Sequence, residues 1–137
     1  MRTAVDTNVL SAILSGESPA SKCKTDLFEA QRRGELVICA LVYAELCAYP
    51  RATQDLIDRF LHDTRIGIDF HMGEHIWRET AQRFASYALR KRKSGGGNPK
   101  RVLVDFIVGA HALLNADRFL TLDEDRYLKD FPELHLI

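Results

Sequence analysis

The 137-residue sequence lacks the features of secreted, fibrous and membrane proteins. Its three cysteines form an odd set without a CxxC spacing, which argues against both a disulfide framework and a zinc ribbon. A membrane-spanning helix needs ~20 apolar residues, and the most apolar stretch, residues 36–49, is shorter and contains Glu45. No signal-peptide core precedes Asp6, and no internal repeat is present. We therefore expect a globular, cytoplasmic protein without membrane association.

The sequence also has no net charge, since 19 lysine and arginine residues balance 19 aspartate and glutamate residues. A polyanion such as a nucleic acid would therefore be attracted only by a local patch. Hydrophobic residues make up 46% of the chain and charged residues 28%, which is ordinary for a globular protein. A chain of this length can bury a substantial core. We predict a single domain over residues 1–137.

Short apolar strands alternate with helical patterns along the chain. Continuous apolar runs such as residues 36–39 are typical of strands buried in a parallel sheet. The predicted strands are 3–5, 36–39, 66–70, 119–121 and 134–137. The first predicted helix is capped by Thr7 or Asn8 and carries Val9 to Leu14, and the other predicted helices cover 21–33, 41–48, 56–61, 73–93, 102–116 and 125–129. This order predicts an α/β three-layer sandwich, with a mostly parallel sheet of about five strands flanked by helices.

Four acidic residues interrupt apolar strand ends or helix faces: Asp6, Glu45, Asp105 and Asp123. Ligands of open parallel sheets bind at the carboxyl ends of the strands, where Asp6 and Asp123 follow predicted strands. The other two acids fall on predicted helices, and Gly109 and Ala112 share the helix face of Asp105. We expect these small residues to leave open space beside the carboxylate. Because an isolated buried carboxylate is costly, four such residues indicate a shared cation.

The chemistry of these acids indicates which cation they would bind. Two carboxylates ~6 Å apart at an effective dielectric constant of ~20 repel each other by about 3 kcal/mol, so without a cation some would take up protons. An all-oxygen ligand set suits Mg²⁺ or Mn²⁺ better than Zn²⁺. Metals held by carboxylates can activate water and stabilise charge on a phosphodiester. The residues alone therefore indicate a metal-dependent nuclease.

The segments that contain the acids also resemble a known family in their order and spacing, over essentially the whole chain. These segments are Asp6-Thr7-Asn8, Val42-Tyr43-Ala44-Glu45-Leu46, Val104-Asp105-Phe106-Ile107-Val108-Gly109-Ala110 and Thr121-Leu122-Asp123. Each segment is weak alone, but the ordered set resembles the PIN-domain nucleases. The resemblance is to their small single-domain branch, the VapC-like ribonuclease toxins of toxin–antitoxin systems.

The resemblance implies a five-stranded parallel sheet, dependence on Mg²⁺ or Mn²⁺, and hydrolysis of single-stranded RNA to a 5′-phosphate and a 3′-hydroxyl. It also implies a cognate antitoxin and, as is frequent in the family, a homodimer. Asn8 and Thr121 resemble the family's polar residues beside the site, while Asp125 either supports the site or caps the next helical turn. The residues that would bind metal and carry catalysis are Asp6, Glu45, Asp105 and Asp123.

A long basic segment departs from the family's pattern. Residues 90–101 carry six basic residues around a glycine-rich loop and lead to Asp105. One interpretation is an electrostatic clamp for RNA phosphates. The other is a solvated loop whose cations are favoured by the helix macrodipole. On the first interpretation, the RNA-binding residues are Arg92, Lys93, Lys100 and Arg101.

Other interpretations of the residues give different functions. His71 and His75 match the HxxEH pattern of a zinc site, but Gly73 between them and the strand before them argue against it. His111 lies six residues from Asp105 and is expected to be a structural histidine. Two alternative functions stay open. One is a non-catalytic module whose acids bind a partner's arginines, and the other, less favoured, is a phosphotransfer protein that forms a phospho-aspartate at Asp6.

Overall fold

The computed structural model describes residues 1–96 and 103–137, which form an α/β fold around a parallel sheet. Its strands are β1 (Arg2–Val5), β2 (Glu35–Cys39), β3 (Ile66–Asp69) and β4 (Arg118–Leu120). They are ordered β3-β2-β1-β4, and every neighbouring pair is parallel. The predicted α/β class and the first four predicted strands are confirmed.

The predicted fifth strand is reduced to a single bridge between Phe119 and Leu136. The amide of Phe119 donates to the carbonyl of His135 at 2.9 Å, and Ile137 donates back to Phe119 at 3.0 Å. The short length of β4 explains this difference, because residues of a parallel strand alternate between their two neighbours. The carbonyl of Leu120 accepts a hydrogen bond from the amide of Asp6 at the end of β1. Of the three residues of β4, only Phe119 therefore directs its backbone groups away from β1, toward residues 135–137.

Seven helices flank the sheet within the described part of the chain. They are α1 (Thr7–Ser15), α2 (Ala20–Arg32), α3 (Ala40–Cys47), α4 (Gln54–Asp63), α5 (Glu74–Lys93), α6 (Leu103–Asn115) and α7 (Glu124–Asp130). Asp6 caps α1, and Gly16 ends it in the left-handed conformation with φ 71°. No helix in residues 1–96 and 103–137 has the length and hydropathy that a bilayer crossing requires.

An aromatic cluster joins α5, α6 and the segment after α7. The ring of Phe106 lies 5.1 Å from that of Phe84 and 6.1 Å from that of Phe131. A Cβ atom at Gly109 would lie only 2.5 Å from the Phe131 ring. The expectation that Gly109 leaves open space beside Asp105 is therefore wrong, since an aromatic ring occupies that space. The small residue allows α6 to pack closely against the end of the chain.

Candidate active site

The candidate site lies where the order of the strands reverses. From β1 the chain passes to β2 and β3 on one side, and it later returns to form β4 on the other side. The carboxyl ends of two such strands border a crevice in which open α/β sheets bind their ligands. Asp6 directly follows β1 and Thr121 directly follows β4. The fold therefore brings the first predicted acid next to the segment that bears Asp123.

Asp6 is the most buried of the four predicted acids, with 7% of its surface exposed. The backbone amide of Thr7 donates to its Oδ1 atom at 2.8 Å, as expected for the cap of α1. The hydroxyl of Thr121 donates to its Oδ2 atom, also at 2.8 Å. Both carboxylate oxygens are therefore held in place by neighbouring donors.

Burial raises the pKa of Asp6 from 3.8 to about 6. The negative charge of Asp105 adds a smaller contribution to the rise. Hydrogen bonds from Thr121, Thr7 and Tyr127 oppose the rise, because they favour the ionised carboxylate. Asp6 is therefore a carboxyl group whose ionisation near neutral pH would be favoured by an added cation.

Asn8 and Thr121 organise the loop that follows β4. The side-chain amide of Asn8 lies 3.4 Å from both the Thr121 hydroxyl and the Asp123 carboxylate. Its carbonyl oxygen accepts a hydrogen bond from the backbone amide of Leu122 at 3.2 Å, and the amide of Asp123 donates to the Thr121 hydroxyl at 3.1 Å. Two of the three predicted supporting residues, Asn8 and Thr121, therefore contact the predicted acids or their backbone.

Glu45 reaches the same group from α3. Its Oε1 atom accepts a hydrogen bond from the Thr7 hydroxyl at 2.7 Å, while the backbone amide of Thr7 binds Asp6. One threonine thus links the most buried acid to an exposed one. The sequence alone did not predict a role for Thr7 in the site.

Arg126 is a second residue that sequence reasoning missed. Its Nη1 atom lies 3.3 Å from Asp105 Oδ2 and 3.8 Å from Asp123 Oδ2. The side chain of Asp105 is 16% exposed and that of Asp123 is 53% exposed, so the guanidinium joins an inner acid to an outer one. The spacing of three residues from Asp123 at the start of a helix was the signal available in the sequence.

The remaining predicted residues are less closely connected to this group. Asp125 is exposed in the first turn of α7, and no hydrogen bond or ion pair of the described residues joins it to the four acids. Arg92 and Lys93 are exposed in the last turn of α5, where the helix macrodipole favours cations. Lys100 and Arg101 lie outside the described residues.

The histidines take structural positions. The buried His111 ring lies 2.7 Å from the carboxylate of Asp69 at the end of β3, and burial lowers its pKa. His75 contacts the side chain of Asn115 at 3.1 Å. The expectation of a structural role for His111 agrees with its contact to Asp69, which ties α6 to the sheet, while the His75 contact ties α5 to α6.

The donor chemistry of the site fits a hard divalent cation. All four acids supply oxygen ligands, and burial, which raises the pKa of Asp6 to about 6, leaves a carboxyl group whose ionised form a cation would stabilise. In the parts of the chain that the structure covers, however, no three acidic, histidine or cysteine side chains are close enough together to bind a metal ion without rearrangement. Arg126 contacts both Asp105 and Asp123, and the Thr7 hydroxyl donates to Glu45.

The family model of the PIN domain matches residues 3–134. A chain of the VapBC2 complex from Rickettsia felis, solved with a promoter DNA fragment, is 19% identical with a TM-score of 0.68, covering 100% of this chain and 98% of that chain. A chain of VapBC-1 from nontypeable Haemophilus influenzae is 20% identical with a TM-score of 0.66. The match covers 100% of this chain and 97% of the VapBC-1 chain. A chain of FitAcB from Neisseria gonorrhoeae is 20% identical with a TM-score of 0.66. The match covers 98% of this chain and 96% of the FitAcB chain. No curated protein sequence matches the chain.

Proposed function

Because the chain belongs to the PIN-domain family, we propose that it is a metal-dependent endoribonuclease, a single domain that acts as the toxin of a toxin–antitoxin pair. PIN-domain nucleases generally use divalent metal ions, which agrees with the oxygen-only donor set of the candidate site. One observation carries the proposal. Asp6 is buried at the carboxyl ends of the paired strands β1 and β4, has its pKa raised in part by Asp105, and is tied through Thr121 to the loop that bears Asp123.

The proposed cofactor is Mg²⁺ or Mn²⁺. When bound, such an ion supplies an activated water and neutralises charge on the reacting phosphate. The proposed ligands, acting directly or through water, are Asp6, Glu45, Asp105 and Asp123. Thr7 and Thr121 orient the Asp6 carboxylate through hydrogen bonds of 2.8 Å, and Asn8 holds the loop of Asp123. These hydrogen-bond donors hold the acidic side chains in place, so binding of the metal ion requires less reorganisation of them.

The proposed substrate is single-stranded RNA. A water oxygen forms a new bond to phosphorus and the bond to the 3′-oxygen breaks, so the products carry a 5′-phosphate and a 3′-hydroxyl. No side-chain nucleophile is needed for this reaction. Arg92 and Lys93 are exposed on the helix that leads toward the Asp105 helix, and they are proposed, together with Lys100 and Arg101, to bind RNA phosphates.

The proposed partner is a cognate antitoxin protein. The solved structures with the same fold include VapBC and FitAB complexes, two of them with DNA. By analogy, this chain would be held inactive by a small DNA-binding protein, would form a homodimer and would act in the cytoplasm, where its RNA substrate is found. A reading frame for a DNA-binding protein next to that of this chain would support the toxin role over general RNA processing.

Cleavage of single-stranded RNA by purified variants tests the enzymatic proposal. Asp6→Asn and Asp105→Asn should each abolish cleavage in Mn²⁺ or Mg²⁺, and excess chelator should abolish it in the wild type. Asp125→Asn is the matched control, because it removes an exposed acid outside the connected group. Equal cleavage by Asp6→Asn, Asp105→Asn and the wild type, or cleavage that persists in chelator, would refute the mechanism.

A non-catalytic binding module is the second candidate, and the contacts of Arg126 favour it. A guanidinium already lies between Asp105 and Asp123, so these acids can accept an arginine side chain of a partner. The two candidates differ in their response to metal, because an ion that binds only the folded protein raises its melting temperature. An unchanged melting temperature in millimolar Mg²⁺ or Mn²⁺ would favour the binding module.

A further inference from the structure

Arg126 forms ion pairs with two of the four predicted acids. Its Nη1 atom lies 3.3 Å from Asp105 and 3.8 Å from Asp123. These acids come from α6 and from the loop after β4, so the guanidinium connects two separate elements. We propose that Arg126 is a built-in competitor of the divalent cation, which holds Asp105 and Asp123 when no ion is bound and is displaced when the ion binds. This inference rests on the proposed metal-dependent function.

The competition follows from shared ligand atoms. Both contacts of Arg126 are to Oδ2 atoms of proposed metal ligands. A divalent cation cannot coordinate these oxygens while a guanidinium occupies the same side of them, because the two positive charges repel at short distance. The absence of a ready-made cage of three acidic side chains in residues 1–96 and 103–137 agrees with this arrangement.

Arg126 can be displaced without disrupting the fold. Its side chain is 47% exposed, and partly exposed ion pairs are weak enough to exchange. The long aliphatic stem lets the guanidinium move into solvent while the backbone stays in place. Helix α7 is anchored independently of Arg126 by the buried Tyr127, whose ring lies 4.9 Å from that of Phe119. Loss of the guanidinium should therefore change metal affinity and leave the melting temperature without metal within a few degrees of the wild type.

Isothermal titration of the purified protein with Mn²⁺ alone, without RNA, tests this inference. Arg126→Gln should bind Mn²⁺ about fivefold to tenfold more tightly than the wild type, the effect expected from releasing a partly exposed ion pair and a repelling charge. Arg126→Lys should give an intermediate affinity, because an ammonium group lacks the planar fork that reaches two carboxylates. Lys129→Gln is the matched control, since it removes the same charge from an exposed position of the same helix. Its affinity should stay within about twofold of the wild type.

The outcomes separate this inference from the proposed function. If the wild type binds Mn²⁺ and Arg126→Gln binds it equally or more weakly, Arg126 is not a competitor, while the metal site stands. An equal gain in affinity in Lys129→Gln would also overturn the inference, because general charge would then explain the effect. If neither the wild type nor Arg126→Gln binds Mn²⁺, the proposed metal-dependent function itself is refuted. A purely structural role for Arg126 predicts weaker binding and a lower melting temperature in Arg126→Gln, which is the opposite result.

Discussion

Replacing Asp6 with asparagine should stabilise the folded protein at neutral pH in the absence of divalent metal. The native pKa of Asp6 is raised from 3.8 to about 6, chiefly by burial. The folded state therefore binds this proton more tightly than the unfolded state does. The neutral carboxyl of Asp6 stabilises the folded state. This stabilisation is fully present below pH 3.8 and is lost as the pH rises through about 6.

The raised pKa also determines the size of the effect. At 1.36 kcal/mol per pKa unit, a rise from 3.8 to about 6 corresponds to about 3 kcal/mol of destabilisation once Asp6 is ionised. Asparagine removes this charge and keeps the shape of the side chain and the oxygen that caps α1, and its amide nitrogen can donate to the Thr121 hydroxyl in place of the hydrogen bond that Oδ2 accepts. The free energy of unfolding of Asp6→Asn should therefore exceed that of the wild type by up to about 3 kcal/mol at about pH 7.5, and the two should be similar at about pH 4.

Urea denaturation in chelator, followed by circular dichroism at several pH values, measures this difference. Asp125→Asn is the control, because an exposed acid should show no comparable dependence on pH. Added Mn²⁺ should reverse the order at neutral pH, since the ion stabilises the wild type through its carboxylate. If Asp6→Asn is equal to or less stable than the wild type at about pH 7.5 in chelator, burial does not control the ionisation of Asp6.

Three further changes test the packing and the electrostatics. Thr121→Val removes the hydroxyl that donates to Asp6 at 2.8 Å, so it should lower the free energy of unfolding by about 1 to 2 kcal/mol in urea denaturation and raise the pKa of Asp6 further; unchanged values would contradict this. Gly109→Ala places a Cβ atom 2.5 Å from the Phe131 ring and should cost about 1 to 3 kcal/mol in thermal denaturation, whereas an unchanged melting temperature would show that the ring moves freely. The basic segment should contribute to the salt dependence of RNA binding, with a slope that decreases by about 0.7 for each lost phosphate contact. The test replaces Arg92, Lys93, Lys100 and Arg101 with glutamine. An unchanged slope in this variant would exclude the electrostatic clamp for RNA phosphates.

The backbone positions of the main site residues could be predicted from the sequence. Apolar runs of a few residues identify the strands, and parallel strands place their carboxyl ends at one edge of the sheet. Asp6 and Thr121 follow β1 and β4 directly, so their proximity is a consequence of topology alone. The direction of the Asp105 side chain could not be predicted from topology alone, because Asp105 lies on a helix and the packing of that helix determines which of its faces meets the site.

The side-chain arrangement could not be predicted in the same way. Thr7 serves Asp6 through its amide and Glu45 through its hydroxyl, which depends on the angle between α1 and α3. The position of Arg126 depends on the short helix α7, whose direction is set by buried side chains after β4. Small residues on a helix face indicate either a cavity or close packing, and at Gly109 the Phe131 ring decides in favour of packing.

Crystals of the protein grown or soaked in millimolar Mn²⁺, with data collected near the manganese absorption edge, test whether the acids form a metal site. We expect an anomalous peak between Asp6 and Asp105 at the carboxyl ends of β1 and β4, with the guanidinium of Arg126 moved away from Asp105. The same soak of Asp105→Asn crystals should lack the peak. No manganese at this edge of the sheet, or a peak that persists unchanged in Asp105→Asn, would contradict a metal site built on these acids.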